Sequence, residues 1–135
     1  MDQNKKNPFN AYKKTGVVTA SKEKILLMLY ESAIRFLKKG IEACDKKDIE
    51  NSAYWIGRTL DIVNELRSTL NHKIDGDVTQ RLEELYGFII GRLLEGNIQR
   101  RSEPLTEALG ILNTLYSAWD EAIKSLNKEL NTQKP

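Results

Sequence analysis

The amino-acid sequence predicts an all-α fold, an antiparallel up-down four-helix bundle with a short N-terminal cap segment. Apolar residues recur three and four positions apart through four long segments, which is the spacing of a helix face. Short polar turns separate these segments, and helices joined by short turns pack as antiparallel neighbours. The chain has only 3 Pro and 8 Gly.

The composition predicts one folded domain in a reducing compartment. With 135 residues, 40% of them hydrophobic and 30% charged, the chain is long enough for a single core and too apolar for disorder. Its single cysteine, Cys44, excludes an internal disulfide. We find no signal-peptide pattern and no apolar run long enough to span a bilayer. We therefore expect a cytosolic protein without membrane insertion.

Residues 1–20 predict a mobile basic arm that carries one apolar island. Residues 1–24 contain six lysines against one aspartate and one glutamate, although the whole chain has a net charge of only +2. No aromatic stacking platform accompanies the lysines, so a solvated arm is favoured over a nucleic-acid or membrane contact. The island is expected to dock onto its own domain or onto a partner. It consists of Phe9, Tyr12, Val17 and Val18.

The first predicted helix runs from about Lys22 to Cys44. Ser21 is its expected N-cap, because a serine hydroxyl can accept a hydrogen bond from the first turn. The stretch from Ile25 to Tyr30 is apolar on almost every side, so this helix needs more than one neighbour and should be central. Its helically spaced apolar residues are Ile25, Met28, Leu29, Ala33, Phe36 and Leu37.

The second predicted helix runs from about Ile49 to Leu70, with Asp48 as its cap. It carries two apolar stripes about a third of a turn apart at 100° per residue. The stripe expected to face the core is Ile49, Ala53, Ile56, Leu60, Val63 and Leu70. The other stripe is Trp55, Ile62 and Leu66.

The third predicted helix runs from about Val78 to Asn97, with Asp77 as its cap and Gln80 completing a capping box. Gly87 and Gly91 lie one turn apart inside it and either admit a neighbouring chain closely or are simply tolerated. The residues expected to face inward are Val78, Leu82, Leu85, Ile89 and Leu93, and the apolar residues on other faces are Tyr86, Phe88, Ile90 and Leu94.

The fourth predicted helix begins at about Pro104 and completes a bundle over residues 21–130, followed by a polar tail at 131–135. No repeat of 20 to 50 residues is visible. The apolar stripe of this helix is Leu105, Leu109, Leu112, Tyr116, Trp119, Ile123, Leu126 and Leu130.

The residues that could carry chemistry are few. His72 is the sole histidine and lies in a predicted loop, where a solvated side chain is the favoured interpretation. Cys44 is interpreted as a packed thiol rather than a nucleophile. We find no pair of Glu-x-x-His motifs for a di-metal site and no glycine-rich phosphate loop. The sequence therefore predicts neither an enzyme nor a cofactor or metal site.

Surplus apolar surface on the second and third helices predicts an interaction protein. A four-helix bundle needs one inward stripe per helix, and these two helices each carry more. One interpretation is that both helices are central and use every stripe internally. The other is a groove for the amphipathic segment of a partner, which a detachable apolar arm could cover.

Several of these segments together resemble the FliS family, the flagellin-specific export chaperones of bacterial flagella. The resemblance extends over roughly residues 9 to 126, and its most specific part is the block from Thr19 to Leu37. Lys22 stands where the family usually has proline, and lysine is also acceptable at a helix start. The similar segments are Asn10–Tyr12, Val17–Ser21, Met28–Leu37, Ile62–Leu66, Thr69–Leu70, Leu85–Tyr86 and Ala118–Glu121.

The resemblance implies an antiparallel four-helix bundle that binds the C-terminal segment of flagellin in the cytosol. Such a chaperone prevents premature polymerisation and helps present its client to the export gate of the flagellar type III apparatus. In the family an N-terminal cap can occupy part of the groove, which would assign that role to the apolar island of the arm. The groove implied by position comprises Trp55, Ile56, Arg58, Ile62, Leu66, Tyr86, Ile89, Leu93 and Asn97.

Two alternatives belong to other functional classes. A nucleic-acid-binding bundle would use the lysine-rich arm with Arg100 and Arg101, and its binding would depend steeply on salt. A structural homodimer would place Trp55 and Phe88 in its interface. For the chaperone we expect no nucleic-acid partner, and either a monomer or a weak homodimer.

Overall fold

Four α-helices make up almost all of the chain that the structure, a computed structural model, describes. Residues 21–72 and 76–132 are described. The helices are α1 (Lys22–Asp45), α2 (Ile49–Ser68), α3 (Gly76–Gln99) and α4 (Ser102–Thr132). No strand occurs within these residues, so the predicted all-α bundle is confirmed. The predicted arm and its cap residues lie outside the described residues.

Two of the three helix caps predicted from local sequence are present, at Ser21 and Asp48. The Ser21 hydroxyl accepts a hydrogen bond from the Lys24 amide at 3.2 Å, and the Asp48 carboxylate accepts one from the Asn51 amide at 3.2 Å. The cap predicted at Asp77 is wrong, because α3 already begins at Gly76. Asp77 instead lies in the first turn, where a negative charge is stabilised by the positive end of the helix dipole.

The helices follow chain order around the bundle. α1 packs against α2 and α4, and α3 packs against the same two helices from the opposite corner. Polar contacts tie neighbouring helices together at the rim. The Arg67 and Glu83 side chains join α2 to α3 at 2.8 Å, and the Tyr116 hydroxyl of α4 donates to the Glu31 carboxylate of α1 at 2.7 Å.

Two tyrosines cross the centre of the core. The hydroxyls of Tyr30 on α1 and Tyr86 on α3 are hydrogen bonded at 2.5 Å, and both side chains are fully buried. Burial raises the pKa of both hydroxyls, so both stay protonated at neutral pH. Around this pair lie the other large, fully buried apolar side chains: Leu37, Ile56, Val63, Leu66, Ile89, Leu93, Leu105 and Leu112.

The structure corrects the predicted facing of several residues on α2 and α3. Leu66 and Tyr86, predicted on secondary faces, are core residues. Tyr86 is turned inward because its hydroxyl finds a partner there, which removes the cost of burying it. Residues predicted to face the core that are exposed instead are Ile49, Ala53, Val78 and Leu85; on α1, Met28 is also exposed.

The last turns of α4 extend past their neighbours. α4 has 31 residues, whereas α1 and α3 have 24 each. The bond between Tyr116 and Glu31 places the start of α1 level with about residue 125 of α4. Leu126 and Leu130 continue the inward stripe beyond that level and are therefore exposed, contrary to their predicted burial.

Candidate functional site

The groups that could carry catalysis or bind metal do not form a site in the described residues. Within 21–72 and 76–132, no group of three His, Cys, Asp or Glu side chains is placed to hold a metal ion. Burial and the nearby Asp45 raise the pKa of the Cys44 thiol. His72 lies 3.5 Å from the Glu83 carboxylate, which also pairs with Arg67. In the same residues, no helix has the length and hydropathy to cross a membrane.

The residues predicted for the groove separate into core and surface residues. The core group has at most 1% of its surface exposed: Ile56, Leu66, Tyr86, Ile89 and Leu93. The surface group is Trp55, Arg58, Ile62 and Asn97. The core group is buried because α2 and α3 each turn more than one apolar stripe into the bundle. These residues therefore do not line one groove on the free protein, and their role in client binding stays a prediction.

The outer side of α3 carries large apolar side chains that the bundle leaves uncovered. Phe88 is 48% exposed, Leu94 44% and Ile98 78%. The same helix supplies Ile89 and Leu93 to the core, so it is apolar on both sides. An uncovered apolar side on a helix that is already packed is the signature of a binding surface.

Two glycines on this outer side face open space. A Cβ atom built on Gly87 or Gly91 would meet nothing within 4 Å, and the same holds for Gly57 on α2. A glycine in an exposed helix interior costs about 1 kcal/mol relative to alanine. Within the described chain, no helix packs closely against Gly87 or Gly91. Close packing inside the bundle therefore does not offset the cost of these two glycines.

The register of α2 and α3 places small and apolar residues of both helices, among them the exposed Leu94, along one seam between the helices. Arg67 and Glu83 are paired at 2.8 Å. Two turns further along the antiparallel helices, Leu60 and Ile90 occupy the corresponding positions, and both are half-buried against the core. Two further turns along the same helices, Ala53 of α2 and Asn97 of α3 occupy the corresponding positions. We call this surface the α2/α3 groove; its residues are Ala53, Gly57 and Leu60 of α2 and Gly87, Ile90, Leu94 and Asn97 of α3.

The remaining predicted surface residues lie on the other flank of α2, towards α1. The Trp55 ring centroid is 5.3 Å from that of Phe36 on α1. Ile62 lies two turns further along the same flank, and Arg58 lies beside both. Of the four surface residues predicted for the groove, only Asn97 therefore lies in the α2/α3 groove.

The described residues bear on the two alternatives only in part. For the nucleic-acid alternative, the lysine-rich arm lies outside them, and the Arg101 guanidinium pairs with Glu103 at 3.2 Å. For the homodimer, Trp55 packs beside Phe36 of α1, and Phe88 is exposed on α3. Both alternatives stay predictions.

The α2/α3 groove contains residues that were not among those predicted for client binding. Ala53 and Leu60 were predicted to face the core, where Leu60 does pack, and Gly57 was not singled out. The available signal was the pair of glycines one turn apart on α3, beside apolar residues at nearly every angle around that helix.

Comparisons with known proteins agree on one family. The family model described as flagellar protein FliS matches residues 5–126. The flagellar secretion chaperone FliS of Bacillus subtilis is 29% identical over 123 residues, covering 91% of each chain. The protein of the same description from Vibrio cholerae is 33% identical over 115 residues, covering 82% of this chain and 85% of its own. That from Campylobacter jejuni is 32% identical over 113 residues, covering 84% and 88%.

Proposed function

Because the chain belongs to the FliS family of flagellar proteins, we propose that it is a flagellar secretion chaperone that binds the C-terminal segment of flagellin. It acts in the cytosol, prevents the client from polymerising early, and presents it to the export gate of the flagellar type III apparatus. The protein binds its client as a monomer or weak homodimer and performs no catalysis.

The structural observation that supports this proposal is the α2/α3 groove, where half-buried Leu60 and Ile90 lie beside the exposed Leu94. An amphipathic client that covers Leu94 and Ile90 removes apolar surface from water, which is worth roughly 25 cal/mol per Å². A client that is disordered when free loses conformational entropy on binding, which offsets part of that gain. The complex is therefore reversible, as a chaperone that must release its client requires.

The glycines set how closely the client approaches. Without side chains at Gly57 and Gly87, the backbones of α2 and α3 are open to contact along the groove. Helix axes approach most closely where the contacting side chains are small. Asn97, at the far end of the groove, supplies a side-chain amide for polar contacts with the client.

The arm at residues 1–20 is proposed to cover the apolar groove when the client is absent. Its apolar residues, Phe9, Tyr12, Val17 and Val18, would compete with the client. A competing cap lowers the apparent client affinity in proportion to the fraction of time it is docked.

The test is calorimetric titration of the full chain with a peptide from the C-terminal end of the host's flagellin. We expect one-to-one binding with a negative heat-capacity change. Leu94→Asp in the groove is expected to weaken binding about tenfold or more, a loss of about 1.4 kcal/mol. The matched control is Leu126→Asp, because both leucines are 44% exposed and helical.

Each outcome of this titration decides one part of the proposal. Absence of binding to the unaltered chain would refute the flagellin client. Equal weakening by both aspartate variants would keep the client and reject the α2/α3 groove. Deletion of residues 1–18 should tighten binding, and unchanged affinity would reject the competing cap.

A further inference from the structure

A second surface, on the opposite flank of α2, combines aromatic rings with positive charge. Phe36 of α1 and Tyr54 and Trp55 of α2 form what we call the aromatic cluster. The Trp55 ring centroid is 5.3 Å from that of Phe36 and 4.9 Å from that of Tyr54, the latter pair meeting edge to face. Tyr54 is 57% exposed, and the other two rings are half-buried. The cluster therefore presents a rigid, partly solvated apolar surface.

Cationic side chains lie directly on these rings. The Lys39 ammonium is 4.5 Å from the Trp55 ring centroid, and the Arg35 guanidinium carbon is 5.2 Å from that of Phe36. In the described part of the chain, neither cation has a carboxylate within ion-pair distance. Arg58, beside the cluster, is 3.8 Å from Asp61 and half-exposed. The positive charge of Lys39 and Arg35 is therefore not neutralised by an ion pair among the described residues.

We propose that this cationic aromatic surface is a second docking site, which binds an acidic amphipathic helix of a partner protein other than the flagellin client. Apolar side chains of that helix cover Tyr54 and Trp55. Lys39 and Arg35 lie one turn apart on α1, so they match carboxylates one turn apart on the partner. Tryptophan, tyrosine and arginine are the residue types that most often dominate binding energy at protein interfaces.

Binding strengthens contacts that are weak in the free protein. A cation over an aromatic ring is attracted more strongly when water is excluded than when the pair is exposed. A partner that covers the cluster removes that water, and its carboxylates neutralise the cations at the same time. Complementary charge of this kind also raises the association rate and selects against basic partners.

The Trp55 ring offers little stacking surface to a nucleic-acid base. One face of this ring is covered by Lys39, and Phe36 packs beside it. Tyr54, which is 57% exposed, is the ring of the cluster that remains open to stacking. The test below therefore includes an oligonucleotide as the competing class of ligand.

The site is separate from the α2/α3 groove, so both can be occupied together. α2 has the aromatic cluster on its α1 side and Leu60 on its α3 side. A partner at the aromatic cluster therefore need not displace flagellin. The aromatic cluster is a different surface from the one in the proposed function, so binding of a partner there can be measured without flagellin.

The test follows the indole N–H resonance of Trp55 by NMR in the full chain while a designed probe is added. The probe is a synthetic helical peptide of about 15 residues with leucines on one face and glutamates one turn apart. The control peptide replaces each glutamate by lysine, and a single-stranded oligonucleotide tests the other class of ligand. The protein has 2 Trp, so Trp119, on α4, serves as an internal reference and Trp55→Phe assigns the signals.

The expected result is a saturable shift of the Trp55 resonance with the glutamate peptide alone. Lys39→Glu should weaken that binding about tenfold, whereas Lys128→Glu, an equal charge change on α4, should leave it within about twofold. No shift with the glutamate peptide, equal binding of the lysine peptide, or preferred binding of the oligonucleotide would each overturn the proposal. Displacement of the glutamate peptide by a flagellin peptide would overturn the claim of two independent sites.

Discussion

Both sides of α3 carry large apolar residues, but the described part of the bundle buries only those on the inner side. The inner side contributes Tyr86, Ile89 and Leu93 to the core, each with at most 1% of its surface exposed. The outer side carries Phe88 and Leu94, which are about half-exposed, with glycines beside them. The inner residues stabilise the fold, and the outer ones cost the free protein stability while making a surface for a partner. Substitutions on the two sides should therefore have separable effects on stability and binding.

The largest effect on stability is expected at Gly96 on the inner side. A Cβ atom there would lie 2.6 Å from Leu105 Cδ2 and 3.0 Å from the Arg101 carbonyl oxygen. Gly96→Ala should lower the free energy of unfolding by about 2–3 kcal/mol, because α3 and α4 must move apart or repack. Urea denaturation followed by circular dichroism measures this change. Gly91→Ala, in open space on the same helix, should instead raise the free energy of unfolding by up to about 1 kcal/mol. Similar changes at both glycines would refute the contrast between the two sides.

A smaller loss is expected when the tyrosine pair at the core is broken. Tyr86→Phe leaves the buried Tyr30 hydroxyl without its 2.5 Å partner. The free energy of unfolding should fall by about 1–2 kcal/mol. Removing both hydroxyls in Tyr30→Phe/Tyr86→Phe should cost less than the sum of the two single losses, since no hydroxyl is then orphaned. On the outer side, Phe88→Tyr should stay within about 0.5 kcal/mol, because its added hydroxyl reaches water.

The fold could be predicted from the sequence because its signals are local. Ser21 and Asp48 cap helices by bonding backbone amides three residues ahead, and helical periodicity needs only neighbouring positions. Local sequence signals do not, however, indicate which side of α3 faces inward, because apolar residues occur all around this helix. That choice depends on contacts such as Tyr30 with Tyr86, 56 residues apart, and Gly96 with Leu105.

The presence of exposed apolar surface was predictable, whereas the direction in which single side chains face was not. Surplus apolar residues on α3 indicated uncovered surface there, and Phe88 and Leu94 are about half-exposed. The second stripe of α2 is different, because Leu66 is buried and Trp55 and Ile62 are half-buried. Periodicity alone could not decide between these outcomes, because neighbouring stripes on one helix lie only about 100° apart.

Stability and client binding should change in opposite directions when the groove is filled. Gly87→Leu adds a side chain in open space, so it should raise the free energy of unfolding by about 0.8 kcal/mol through helix propensity. The same side chain occupies the path of the client and should weaken flagellin-peptide binding about tenfold, or about 1.4 kcal/mol. The control is Gly110→Leu on α4, where a Cβ atom also meets nothing within 4 Å. It should bring the same gain in stability with unchanged binding, and a loss of binding in both variants would argue against a client in the groove.

The smallest effect is expected where α3 ends. Arg100 has φ 56°, and the Arg101 amide donates to the Gly96 carbonyl at 3.1 Å, which closes the helix in a left-handed turn. A residue with a Cβ atom loses about 1–2 kcal/mol in this conformation, whereas glycine loses about 0.5–1 kcal/mol more chain entropy on folding. Arg100→Gly should therefore raise the free energy of unfolding by about 0.5 kcal/mol, seen as a small increase in Tm. Gln99→Gly, one position earlier and within the helix, should lower Tm instead. An increase in Tm for both variants would show that the left-handed turn at Arg100 is not what limits stability at this end of α3.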